Sequence, residues 1–185
     1  VLDSSCSAQC VCRSGYGGES CGITLATFES ARLLRHLLVE SYETLIASEN
    51  PTEDTVVSWL EGLAGVAAQP QYLSETSKEL LVALCSRVLE TAGGLGLSYE
   101  DVQSVEKVLS LTLFGGVSSS MDAALDLLDK YGQYVMSDLH VGQNPTVIVT
   151  SQYRLSVFSS DGESFADLTL SLGRSGLEVA IGSRS

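Results

Sequence analysis

The segment Ser74-Glu75-Thr76-Ser77-Lys78-Glu79-Leu80-Leu81-Val82-Ala83-Leu84-Cys85-Ser86-Arg87-Val88-Leu89 combines a capping hydroxyl with Leu80, Leu81, Leu84, Val88 and Leu89 at steps of three and four. That spacing gives a helix one apolar face. It predicts a helix over about 75–92, stopped by Gly93-Gly94-Leu95-Gly96 because glycine readily takes the left-handed conformation that ends a helix. The same grammar repeats on both sides. Upstream, Thr24 caps a long helix over about 24–48 that turns Phe28, Ala31, Leu34, Leu38, Tyr42 and Leu45 inward. Asn50-Pro51 ends it. Thr52 opens a second helix carrying Val56, Trp59, Leu60 and Leu63, with Glu53 and Asp54 at its positive end. Downstream, Ser98 and Asp101 form a capping box for a helix with Val102, Val105, Val108, Leu109 and Leu113. Ser120 opens a fifth, with Leu125, Leu128, Tyr131 and Val135 on one side.

Five helices joined by short Gly, Pro and Ser breaks predict an antiparallel five-helix bundle over 23–140, since short connections reverse the chain between neighbours. Near residue 144 the apolar period changes from helical to two. Val147 and Val149, then Tyr153, Leu155 and Val157, then Leu168, Leu170 and Leu172, then Leu177, Val179 and Ile181 alternate with other residues. This is the pattern of half-buried strands, and Asp161-Gly162 supplies a turn between the second and third. The expected fold class is α+β, with an antiparallel β-sheet segment over 141–185. The fourth strand would form an open edge, which implies completion by further strands or by another chain.

Composition bounds the function. The 185 residues are 44% hydrophobic but only 6% aromatic, so the core is expected to consist mainly of Leu, Val and Ala. The net charge is −13 and the pI about 4.3. Such a surface repels phosphate, making nucleic acid and anionic membranes poor partners. No run of about 18 apolar residues offers a membrane span. The two asparagines, Asn50 and Asn144, both lie in Asn-Pro-Thr, where proline blocks N-glycosylation.

The cysteines speak to compartment. Cys10-Val11-Cys12-Arg13-Ser14-Gly15-Tyr16-Gly17-Gly18-Glu19-Ser20-Cys21 reads C-x-C, then five residues, glycine, two residues and cysteine. It resembles the C-terminal half of an EGF-like module, a disulfide-held unit of oxidising compartments. The resemblance implies a partial module over 1–22, in which Cys6, Cys10, Cys12 and Cys21 correspond to the third to sixth cysteines. Cys12 then pairs with Cys21 across the glycine-rich turn. Cys6 and Cys10 take partners upstream of Val1, and the chain is a piece of a larger protein. The alternative is a local Cys6–Cys10 loop. The fifth cysteine, Cys85, lies on the apolar side of its helix and reads as a buried small hydrophobe or as a redox or intermolecular thiol.

The order of parts carries a second resemblance. An EGF-like half, then helices, then antiparallel strands is similar to the stalk of polycystin-type and adhesion-receptor ectodomains. There a helical half precedes a β-sandwich half, in the region called GAIN or REJ-associated. Ser151-Gln152-Tyr153-Arg154-Leu155-Ser156-Val157-Phe158 is similar to the first strand of that sandwich, which makes the strands here an incomplete sandwich. The family's cleavage site, His-Leu followed by Ser or Thr, has no counterpart. Leu139-His140-Val141 reverses its first two residues, and no cleavage chemistry carries over.

Catalytic types are sparse. His36 sits among leucines beside Arg35, where it borders the helix surface, and His140 sits at the junction of helices and strands, where a local hydrogen-bonding role is expected over catalysis. With two histidines and the cysteines committed to disulfides, no metal, cofactor or catalytic set is expected. Asp122, Asp126 and Asp129 follow helical spacing on a solvated face, with weak divalent-ion binding as the alternative. The reading is therefore non-enzymatic: an extracellular or cell-surface structural and adhesion module. Its partners would be other protein chains or flanking domains. The contacts would fit a homopolymeric filament or a surface coat such as the hairs of a flagellum. The alternative is a ligand- or force-sensing receptor ectodomain.

Overall fold

The computed structural model describes residues 11–18, 20–112, 121–140, 143–150, 153–160, 163–172 and 175–181, with side chains as far as Phe158. Helices α1 (Leu25–Ser48), α2 (Glu53–Ala67), α3 (Glu75–Leu95), α4 (Ser104–Thr112) and α5 (Met121–Asp138) follow a two-stranded ribbon, β1 (Tyr16–Gly17) and β2 (Ile23–Thr24). Strands β3 (Thr146–Val149), β4 (Tyr153–Ser160), β5 (Glu163–Leu172) and β6 (Ser175–Ile181) form an antiparallel meander in sequence order. Mixed helices and antiparallel strands bear out the α+β class.

The helix starts follow from side-chain chemistry. Thr24, Thr52 and Ser74 each accept the backbone N–H three residues on, satisfying one orphan donor of the first turn. Thr52 and Thr55 complete a reciprocal box, the Thr55 hydroxyl accepting the Thr52 N–H at 2.7 Å. The third helix outruns its expected stop. Gly93, Gly94 and Leu95 stay helical, and the chain turns left-handed only at Gly96, φ 73°. The Leu97 N–H then returns to Ala92 O at 3.2 Å. The box at Ser98 and Asp101 opens a 3₁₀ turn, Tyr99–Val102, before α4 begins. The single helix expected from Val102 onward is thus divided. Leu113, the start signal Ser120 and the Asp161-Gly162 turn lie outside the described residues.

α3 is the hub and packs against each of the other four helices. Its buried residues include Leu81, Leu84, Cys85, Val88 and Leu89, while Leu80, expected inward, is only partly buried. The core continues through α2, α4 and α5 into the sheet, where Ile148, Tyr153, Leu155 and Val157 belong to the same apolar cluster. α5 contacts β4 and β5. The register sets Leu155 across from Ile148 and Leu168, and Leu168 across from Val179. One expectation here fails. Val147 and Val149 are exposed and Ile148 is buried, because residues 147–149 are apolar in succession and alternation cannot choose their face. Of the segment 151–158 likened to a sandwich strand, Tyr153–Phe158 lie in β4.

The inward face of α1 also differs. Val39 is its one fully buried residue, whereas Leu34, Leu38 and Leu45 point to solvent. Phe28, Ala31, Arg35, His36, Tyr42 and Ile46 form the partly buried seam. The leucine pairs 33–34 and 37–38 make the opposite face equally apolar in sequence, and Arg35 and His36 turn inward to polar partners.

Candidate interaction surface

Three arrangements bear on function: the disulfide turn, the polar contacts that hold α1, and the face α1 leaves outward.

Cys12 and Cys21 are bonded, with Cα atoms 5.2 Å apart. The loop between them returns through Gly15 and Gly18, at φ 87° and 85°, which a side chain would strain. Tyr16 pairs with Thr24 and Gly17 with Ile23. The Leu25 N–H donates to Gly15 O at 2.8 Å, joining the ribbon to the first turn of α1. A Cβ on Gly17 would come within 3.2 Å of Phe28, so the glycine lets the ring lie close against the strand and a side chain there would make the ring shift. Phe28 also contacts Tyr72, ring centroids 5.7 Å apart, and the Arg32 guanidinium lies over it at 5.7 Å. The disulfide turn is thereby fixed on the end of α1. Cys6 and Cys10 lie outside the described residues.

Polar side chains then fasten α1 to the bundle. Arg35 Nη1 donates to Val66 O at 2.9 Å and Nη2 to Gln69 Oε1 at 2.8 Å, supplying charge to carbonyls at the negative end of α2. His36 Nδ1 lies 3.1 Å from Ser77 Oγ, and its Nε2 lies 3.3 Å from Glu40 Oε1. Ser, His and Glu are the residue types of a nucleophilic relay. Here Ser77 is fully buried and its Oγ lies 2.7 Å from Ser74 Oγ, so the relay ties α1 to the first turn of α3. Tyr42 lies directly over Gly62 of α2, in the space a Cβ there would occupy. Trp59 Nε1 donates to Glu49 Oε2 at 2.9 Å across the α1–α2 connection.

Outward, α1 presents Leu33, Leu34, Leu37 and Leu38, which are 59, 58, 48 and 38% exposed. Sequence periodicity assigned Leu34 and Leu38 to the core and passed over Leu33 and Leu37. Their signal was present as a second apolar stripe on the same helix.

The remaining titratable groups sit elsewhere. The Tyr131 hydroxyl donates to Glu106 Oε1 at 2.7 Å beneath the sheet. Burial raises the Glu106 carboxyl above its ordinary value, against the lowering influence of Tyr131 and Lys107. Burial also raises Tyr131 and Tyr153, each with Glu106 adding to the rise. Cys85 is free and fully buried, which pushes its thiol up to about 12 and keeps it in the un-ionised, unreactive form. At His140 it is the backbone that makes the local turn, its N–H donating to Gln143 Oε1 at 3.1 Å. Asp129 accepts from Gln133 at 2.7 Å. Among the described residues no three His, Cys, Asp or Glu side chains converge as a metal site, and no helix is long and apolar enough to cross a membrane.

Comparison with known proteins returns no matching family model, no matching curated protein and no matching solved structure.

Proposed function

We propose that this chain is an extracellular structural and adhesion module of a larger protein, acting through protein–protein contacts and not through catalysis. The observation that carries the reading is the outer face of α1. A helix anchored by a disulfide turn at one end and by polar contacts along its inner side holds a row of leucines toward solvent. Such a face suits contact with another polypeptide. The EGF-like reading of the cysteines accounts for the compartment, and Cys12–Cys21 is the pairing it requires. The order of an EGF-like half, helices and strands also supports a second reading, a ligand- or force-sensing ectodomain of GAIN-like organisation. The shared core of helices and sheet would transmit force between the two.

Non-reducing peptide mapping of the natural protein tests the proposal. Cys6 and Cys10 should be linked to peptides outside this sequence, as an EGF-like module requires. A Cys6–Cys10 bond would remove the EGF-like reading, and free thiols at both positions would remove the extracellular one.

A further inference from the structure

A cleft of about 370 Å³ opens where the end of α1, the α1–α2 corner and the middle of α3 meet. Trp59, almost wholly buried, lines it together with Ile46 and Pro51. Arg87, Glu90 and Thr91 line the α3 side, and their spacing of three and four places them on one face of that helix. One wall is apolar and the other polar, the make-up of a small recognition site. Most of the polar groups are already engaged. Trp59 Nε1 donates to Glu49 Oε2 at 2.9 Å, and Thr91 Oγ1 donates to Arg87 O at 3.0 Å. Glu90 Oε1 accepts from Lys130 Nζ at 2.6 Å, which offsets its charge. The Arg87 side chain differs. Arg32, Arg35, Lys78 and Lys130 each have an acceptor, whereas the exposed Arg87 guanidinium has no hydrogen bond or ion pair among the described residues. It sets a fork of N–H donors beside an apolar wall.

We propose that this cleft takes an acidic side chain of a partner polypeptide, its carboxylate on Arg87 and the apolar residue next to it on Trp59, Ile46 and Pro51. A planar guanidinium matches a planar carboxylate with two parallel hydrogen bonds. A phosphate suits the cleft less well. The site has one arginine and lies along the side of α3, away from the N–H groups of a helix start. A phosphate would also bring close to two negative charges toward a chain of net charge −13, where a carboxylate brings one.

The apolar wall selects a polypeptide over a free acid. Pro51, Arg87 and Glu90 are exposed along the rim, so a chain can pass across the opening while one side chain enters. A neighbouring apolar side chain then covers the wall, which a small carboxylate leaves in water. One ion pair at an exposed rim makes a weak contact, and most of its dependence on charge falls on Arg87. The site lies on α2 and α3, apart from the outer face of α1. Its test involves no cysteine, so its failure is distinct from failure of the extracellular reading.

Trp59 is the single tryptophan of the chain, so its indole N–H resonance reports on the cleft alone. The full chain is titrated with the blocked peptide acetyl-Leu-Glu-Leu-amide to about 10 mM, and the expected result is a saturable shift with a Kd of about 1 mM. The glutamine counterpart, acetyl-Leu-Gln-Leu-amide, should bind about tenfold more weakly or worse. Acetate alone should be weaker than the glutamate peptide by a similar factor. Arg87→Gln should match the loss seen with the glutamine peptide, and Arg87→Lys should fall between, because an ammonium keeps the charge without the fork. Arg154→Gln, at an exposed position of β4, should leave binding unaltered. Arg87 is exposed, so its variants should melt with the parent. The absence of a saturable shift, equal binding of the two peptides, or a shift indifferent to Arg87→Gln would overturn the proposal. So would acetate binding as tightly as the peptide, which would mark a small-anion site.

Discussion

Helices α1 and α3 are both long, leucine-rich and capped by a hydroxyl, yet they relate to the core in opposite ways. α3, at 21 residues, has eight buried; α1, at 24 residues, has one. Their apolar content does not explain this. α3 lies between four helices and is covered on most sides. α1 touches α2, α3 and the small ribbon, and its anchors are largely polar: Arg35 on the end of α2, His36 on Ser77, Tyr42 over Gly62. Leucine in this molecule therefore has two uses. In α3 it builds the fold, and in α1 it builds a surface.

The sharpest way to break that contrast is substitution at matched residues. Leu81→Ala, in the fully buried seam of α3, should cost about 2–5 kcal/mol, read as a lower denaturant midpoint with an unchanged slope. A loss below about 1 kcal/mol would mean α3 is not the hub. Next in size is the seam between α1 and α2. Gly62→Ala puts a methyl where Tyr42 lies, so the ring must leave. The expected cost is about 1–3 kcal/mol, where the same change at an open helical glycine would stabilise by up to about 1 kcal/mol. Gly65, whose Cβ position is open, is the control.

A third test works through pH. The raised Glu106 carboxyl in the folded state means that the native protein binds its proton more tightly than the unfolded chain. Its contribution to stability is therefore greatest below the ordinary carboxylate value and is lost as pH rises through the raised one. Glu106→Gln should keep an acceptor for Tyr131 and remove this part of the pH dependence in mildly acidic solution. Chemical denaturation at several pH values would show it, and an unchanged profile would contradict the assignment. The smallest effect is expected at α1. Leu34→Ser in dilute solution should change stability by no more than about 0.5 kcal/mol. A loss as large as that at Leu81 would place the outer stripe in the core.

Much of this architecture was readable in advance. The capping residues Thr24, Thr52 and Ser74 and the alternation from Tyr153 to Val157 mark local physics that tertiary packing did not override. What was not readable required knowing what lies across the fold. α1 carries two apolar stripes. The buried one contains Arg35 and His36, polar residues that no apolar period marks as inward, and only carbonyls and a hydroxyl on other helices explain their position. Ile148 was hidden in a run of three apolar residues, where alternation has nothing to compare. The Tyr131–Glu106 bond joins residues 25 apart on different helices, and no local pattern announces it. The outward leucines of α1 were likewise written at helical spacing, the same signal that marks a core.

Backbone hydrogen exchange tests the contrast between α1 and α3 most directly. The α1 amides should open more readily than those of α3, which should exchange only on global unfolding. Protection of α1 that equals that of α3 would contradict the account.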